Sequence, residues 1–266
     1  MRFLIFGDVT GSLGRQGLTR VLPKLRAHYQ PDAVIINVEN MAHGKGISSQ
    51  TMQEALAWQA QVYTTGDHAW DNESGIDILN DPTVPIIRPA NYVRDVAGRG
   101  WHVFSVGAFQ VAVINLQGQV LFRSDPDNPF RVIDELLQEE AIKNSAIKLV
   151  DFHAEATSEK RGFGWYIDGR ISAMWGTHTH VPTADAQILP KGTGYITDVG
   201  MNGAYYSIIG MDMAGPLRTF RTQVKTKMKP PAAGPIEINA LVLDIDPSTR
   251  STTAIALHRE ILDDEK

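Results

Sequence analysis

Apolar positions along the chain switch between two spacings. Arg2 to Phe6 is a short apolar run closed by Gly7, and Leu18, Val21, Leu22 and Leu25 then recur every three or four residues, which places them on one helical face. Ala33-Val34-Ile35-Ile36-Asn37-Val38 is too β-branched and too short for a helix and predicts a strand. Ser48 or Ser49 is positioned to cap a helix from about Thr51 to Gln59, and Val62 to Thr65 predicts another strand. This alternation predicts a β/α half built on a buried parallel sheet.

The remainder is richer in strands. Trp101 to Val106 and Gln110 to Asn115 predict a hairpin around Gly107, followed by a helix near Arg131 to Lys143 and a strand over Ile147 to Phe152. Ile171 to Trp175 and Gly194 to Thr197 predict strands, and Ala240 to Ile245 with Thr252 to Leu257 predict a closing hairpin. Thr222 to Pro235, with Lys225, Lys227, Lys229, Pro230 and Pro231, reads as a surface loop. With 266 residues and no repeat or low-complexity tract, the expectation is one α/β domain spanning residues 1–266.

Composition narrows the chemistry. The chain is 43% hydrophobic and 21% charged, an ordinary globular balance. It contains no cysteine, which excludes disulfides, thiolate zinc sites and a cysteine nucleophile. The N-terminal apolar run is too short for a signal peptide, and nothing approaches about 18 consecutive apolar residues, so a cytoplasmic location without membrane attachment is expected. A net charge of −5 argues against stable nucleic-acid binding, yet leaves room for a small anion held through bound cations.

The ionisable residues fall at strand ends. His178 and His180 are spaced i, i+2, so that in an extended segment both rings would face one side. Alone this pair is weak. Asp8, however, follows the first predicted strand, Glu39-Asn40 the second, Asp67-His68 the third, His153 the strand from Ile147, and His178/His180 the strand from Ile171. Carboxyl ends of strands in an α/β sheet converge on one rim, where sites assemble. Each residue singly has a reading as a turn former or helix cap; five strand ends delivering metal-competent groups point to a common site. Asp8, Glu39, Asn40, Asp67, His153, His178 and His180 are too many ligands for one four-coordinate ion and suit two ions sharing a carboxylate. Imidazole and oxygen donors without sulfur favour iron or manganese, with zinc as a third choice. Such a pair of ions is a recurrent solution for phosphoester hydrolysis.

The blocks Gly7-Asp8-Val9, Asn37-Val38-Glu39-Asn40, Gly66-Asp67-His68-Ala69-Trp70-Asp71, Arg88-Pro89-Ala90-Asn91-Tyr92, Asp151 to Lys160, Gly176-Thr177-His178-Thr179-His180 and Thr197-Asp198-Val199-Gly200-Met201 extend the pattern along the chain. In their order and number they resemble the YmdB-like bacterial metallophosphoesterases of the calcineurin-like superfamily. The resemblance implies a four-layer α/β/β/α sandwich, a dinuclear metal centre, and phosphodiesterase activity toward cyclic nucleotides, notably the 2′,3′-cyclic kind. It implies Asp8, Glu39, Asn40, Asp67, His153, His178 and His180 as ligands, Glu39 as the bridge, His68 in the catalytic position, and a homo-oligomer. The expected mechanism is in-line attack by a hydroxide bridging the ions, with His68 protonating the leaving alkoxide.

Asp67 departs from the pattern, since the family usually carries asparagine there. An aspartate can still ligate, but it adds negative charge where an amide could donate to phosphate. This keeps open an alternative reading, a weakly active or non-catalytic metal-binding regulatory protein. A second alternative is a dinucleotide-binding protein, from Gly7, Gly11 and Gly14 after the first strand with Glu39 at the end of the next. Asp71 is read either as orienting His68 or as capping the next helix. His28, His102 and His258 read as packing or surface residues. His43 and Lys45 sit in a loop that either presents phosphate-binding groups or is simply glycine-rich surface. Lys160 and Arg161 read as solvated charges, Glu155 and Glu159 as candidates to support the ligands, and Trp165, Tyr166, Tyr205 and Tyr206 as core aromatics sooner than as platforms for a stacked base.

Overall fold

In the computed structural model, which describes residues 1–263, the period-two alternation of the strands decides the layering. The first half runs β1 (Arg2–Phe6), β2 (Asp8–Val9), α1 (Gly11–Tyr29), β3 (Ala33–Asn37), α2 (Ser49–Leu56), β4 (Val62–Thr64) and α3 (Glu73–Asn80). Next come β5 (Trp101–Val106), β6 (Phe109–Gln117), α4 (Pro129–Leu136), α5 (Glu140–Asn144), β7 (Ile147–His153), α6 (Thr157–Ile167), β8 (Ala173–Thr177), β9 (Gln187–Ile188) and β10 (Gly194–Ile196). The chain closes with β11 (Met201–Ala204), α7 (Ala214–Thr222), β12 (Ile236–Asp246) and β13 (Ser251–Leu262).

These strands form two sheets. One has the order β2-β11-β12-β1-β3-β4 with β13 added against β12; the other has the order β5-β6-β7-β8-β10-β9. β1, β3 and β4 are parallel, as the first half of the sequence predicts, while β12 joins β1 antiparallel. Phe3 and Ile5 of β1 face Val111, Val113, Leu149 and Trp175 of the other sheet, forming a core between the sheets. The intervening Leu4 and Phe6 turn the opposite way, onto α1 with its Leu18, Val21 and Leu22. On the far side Ile114, Val150 and Phe152 pack against Ile133, Ile142 and Phe163 of α4, α5 and α6. Because successive strand residues point to opposite faces, strands apolar at every position supply two cores at once. The result is the four-layer α/β/β/α sandwich, in which the ligand-bearing strand ends belong to two facing sheets rather than to one.

The expected helix over Arg131 to Lys143 is two helices, α4 and α5, with an extended Glu139 between them. Ile133 and Ile142 are both fully buried in the same core. Nine residues apart, they would lie about 180° from each other on an unbroken helix, so the break is what lets both reach the core. α2 starts where expected, with Ser48 and Thr51 forming a reciprocal cap. Helices α3, α6 and α7 are additions that the apolar spacing does not announce. Among the described residues no helix is long and apolar enough to cross a membrane.

Candidate metal centre

Carboxyl ends of β3 and β4 from one sheet and of β7 and β8 from the other meet beside β2, and all seven expected ligands lie in the cleft they form. Glu39, Asp67, His153 and His178 place one ligand atom each within 4.8 Å of one another. His153 Nε2 is 3.1 Å from Glu39 Oε1, 3.2 Å from Asp67 Oδ1 and 3.0 Å from His178 Nδ1. Alongside, His180 Nε2 lies 3.0 Å from Asn40 Nδ2 and 3.9 Å from Asp8 Oδ1. Asn40 Nδ2 also donates to Glu39 Oε1 at 3.2 Å, which makes Glu39 the residue common to both groups. His178 and His180 are not on an extended segment. β8 ends at Thr177, and His178 and His180 take φ of 98° and 64°, so a turn, and not strand alternation, brings both rings to the cleft.

The ring nitrogens are oriented from behind. His153 Nδ1 donates to Thr177 Oγ1 at 2.9 Å, and that hydroxyl donates to Asp151 Oδ1 at 2.7 Å, which turns Nε2 toward the cleft. His180 Nδ1 donates to the carbonyl of Ile209 at 2.9 Å, and His178 Nε2 lies 3.1 Å from Glu155 Oε2. Burial pushes the Asp151 carboxyl up to about 6, against the hydroxyls of Thr64 and Thr177. Thr177 and Asp151 stand in the sequence blocks named above, yet spacing gave no sign of their joint role. Phe122 is a further neighbour without a sequence signal; its ring centroid lies 4.7 Å from that of His178.

His68 sits at the edge of this group. Its Nδ1 is 2.9 Å from Asp71 Oδ2, and its backbone N–H donates to Glu39 Oε2 at 3.3 Å. Asp71 therefore orients His68; the cap of α3 is Asn72, whose side chain accepts from the Ser74 N–H.

The donor set fits divalent cations on three counts. Asp8 Oδ1 is fully buried and has no hydrogen-bond partner among the described residues, a costly state unless a cation supplies one. A Cβ at Gly66 would fall 2.3 Å from both Glu39 Oε2 and His153 Nε2, so glycine keeps the cradle open. The charges also call for a cation. Burial alone would depress the His153 imidazole, but Glu39, Asp67 and Asp8 outweigh it and hold its pKa well above the ordinary value. Burial raises and the His153 and His178 contacts lower the Asp67 carboxyl, with the lowering dominant. Glu39 is likewise lowered, as the His153 charge prevails over burial, whereas at Asp8 burial prevails and raises the carboxyl. The proton that His153 holds among these carboxylates stands where a metal ion would take its place.

Several expectations change. Lys160 is fully buried rather than solvated, and its ammonium contacts Asp198; Arg161 is exposed beside Asp185, as expected. Glu159 accepts from the Gln119 and Val120 N–H groups and so anchors the loop that carries Phe122. Trp165, Tyr166 and Tyr206 are exposed, which removes them from the core. His43 and Lys45 are exposed too, and His43 lines a cleft with Arg15 and Lys229. The glycines of the dinucleotide pattern have another purpose. A Cβ at Gly7 would strike the Gly200 carbonyl at 1.8 Å and one at Gly14 the Asn202 carbonyl at 2.3 Å. The Gly11 N–H at the start of α1 already donates to the Asn40 carbonyl. These residues seat α1 and β2 against β11, which leaves that pattern no pyrophosphate to explain.

Comparison with known proteins agrees with this geometry. The family model described as YmdB-like protein matches residues 4–257. A 2′,3′-cyclic-nucleotide 2′-phosphodiesterase of Bacillus subtilis (strain 168) is 44% identical over 266 residues, covering 100% of this chain and 98% of that protein. The crystal structure of a novel phosphatase from Mycoplasma pneumoniae superposes with a TM-score of 0.92 at 34% identity, over 99% of this chain and 94% of the other. That of a hypothetical protein from Thermus thermophilus gives 0.91 at 38% identity, over 98% and 100%.

Proposed function

The chain belongs to the YmdB-like family, and on that basis we propose that it is a metal-dependent phosphodiesterase acting on cyclic nucleotides, with 2′,3′-cyclic nucleotides favoured. The observation that carries this reading is the convergence of three imidazoles and three carboxylates on one cleft, where buried Asp8 Oδ1 has no hydrogen-bond partner among the described residues. Glu39, Asp67, His153 and His178 would hold one ion, and Asp8, Asn40 and His180 the other, with Glu39 between them. Iron or manganese suits these donors best, and zinc next. Two such ions supply positive charge to phosphoryl oxygens and an acidified water near neutral pH.

The side chains account for the rest of the chemistry. Asp71 fixes the His68 ring through Nδ1, so Nε2 is the atom that gives a proton to the alkoxide as the P–O bond breaks. Thr177 with Asp151, the Ile209 carbonyl and Glu155 hold His153, His180 and His178 in the ring orientations that ligation needs. Phe122 packs its ring against His178 on one side of the cleft.

The deciding experiment is a turnover panel of 2′,3′- and 3′,5′-cyclic nucleotides and an aryl phosphodiester, run with manganese or iron and then with a chelator. Turnover of the 2′,3′-cyclic substrates that stops on chelation is expected. Metal-independent turnover overturns the dinuclear mechanism, and bound metal without hydrolysis of any ester transfers the reading to a regulatory protein. A homo-oligomer is also proposed. At the start of and along α7 Met213, Leu217 and Phe220 are 48%, 49% and 72% exposed at helical spacing, an apolar stripe that a second copy would cover. Light scattering in solution measures it directly.

A further inference from the structure

Lys160 and Asp198 stand in two of the sequence blocks, and the proposed chemistry uses neither residue. Both are wholly buried. Lys160 Nζ donates to Asp198 Oδ2 at 2.6 Å and to the Thr177 carbonyl at 2.8 Å. Asp198 Oδ2 also accepts from the Thr179 N–H at 3.2 Å and the Thr179 hydroxyl at 2.8 Å, and Oδ1 accepts from the Gly200 N–H at 2.8 Å. The ion pair thus grips the residue before His178 and the residue after it.

Between those grips, at His178, and again just past them, at His180, the backbone is in a conformation that side-chain-bearing residues rarely adopt. His178 and His180 both have positive φ, a state that persists only where the surroundings over-determine it. An isolated buried ion pair is a poor source of stability, because well-packed apolar replacements of both partners are often as stable or more so. What a fully hydrogen-bonded pair does provide is one defined geometry. Here that geometry belongs to the backbone carrying the two imidazoles, one facing His153 and the other Asn40. Lys160 enters from α6, behind the end of β7, and Asp198 from the loop after β10. The clamp therefore joins three elements across the back of the His178–His180 turn, and none of its members is itself a proposed ligand.

We propose that Lys160 and Asp198 are positioning residues for the metal centre, clamping the left-handed backbone at His178 so that His178 and His180 are set toward separate ions before either ion binds. This rests on the dinuclear reading above. Manganese titration of metal-stripped protein, followed by calorimetry and by the electron paramagnetic resonance of the bound ion, tests it without recourse to turnover. The variants are Lys160→Met, Asp198→Asn, the charge-neutral Lys160→Met/Asp198→Asn double substitution, and Thr179→Val, which removes only the hydroxyl donor.

The double variant is expected to fold, with near-ultraviolet circular dichroism like the parent's, and to bind manganese at least ~10-fold more weakly. Its kcat should fall with the affinity even at saturating substrate. Thr179→Val should weaken manganese binding in the same direction but less. Where a single-charge variant does not fold because it buries an unpaired charge, the double variant and Thr179→Val decide the question. Parent-like manganese affinity and stoichiometry in these folded variants, with only the melting temperature lowered, would show a merely structural pair and overturn the proposal. A parent protein that binds no manganese, iron or zinc overturns the dinuclear reading itself, and this inference with it.

Discussion

At the scale of single residues, what matters is which atom of each imidazole is left for chemistry. His68 Nδ1 is held by Asp71, so His68→Ala is expected to retain the metals while kcat falls by about 10²- to 10⁴-fold, the range for a lost general acid. Metal analysis beside steady-state kinetics checks both halves, and parent-like turnover in the metal-replete variant rules the assignment out. Thr177→Val keeps shape but removes the hydroxyl between His153 Nδ1 and Asp151 Oδ1. A loss of about 10- to 100-fold in metal affinity is expected, as for other groups that orient a ligating histidine, and metal titration measures it. The seven proposed ligands were legible in the sequence only together, because metal-competent groups after five apolar strands are recognisable as a set where each alone reads as a turn former or cap. Thr177, Asp151, Lys160 and Asp198 were not, because their roles exist only as pairs whose members come from different elements. Lys160 shows the limit well: a lysine beside an arginine reads as surface, and only the fold buries it against Asp198.

At the scale of elements, the centre depends on strands that stop at the right place with backbone close behind. Gly66, just past β4, faces Glu39 and His153 with no room for a methyl group. Gly66→Ala is expected to displace both side chains and lower turnover on the order of 100-fold, with little change in the melting temperature of the metal-free protein. Parallel kinetics and thermal melts distinguish this from a folding defect. Strand positions were readable from β-branched apolar runs, and α2 from its cap. The split of α4 from α5 was not, since residues 131–143 look continuous locally and only the shared burial of Ile133 and Ile142 requires the break. The turn at His178 likewise has no decisive local signature, since it contains neither glycine nor proline and histidine takes positive φ only in a minority of cases.

At the scale of the whole molecule, β12 returns from the end of the chain to pair with β1 and lock the central strand of the first sheet. Arg2 Nε bonds Asp244 Oδ1 at 2.7 Å across that pairing, and this contact outweighs partial burial and holds the Asp244 carboxyl below its ordinary value. A depressed carboxyl contributes stability above its unfolded pKa and loses it as pH falls through the folded value. Asp244→Asn is thus expected to lower Tm at pH 7 by no more than about 2 °C, the pair being partly exposed. The difference should shrink as the pH drops below about 4. Melting curves of both proteins across that range test the sign as well as the size.

The linear order of residues was enough for the inventory: two kinds of apolar spacing, hence strands and helices, and metal-competent groups placed where strands end. Those features are local, set by side-chain periodicity and residue type. Packing alone decided that two sheets face each other, because alternating apolar faces become separate cores only when brought together. It also decided that seven groups from five strand ends share one cleft, and which nitrogen of each histidine faces it. Burial and hydrogen-bond direction between distant elements set those choices, and neither is carried by any single stretch of chain.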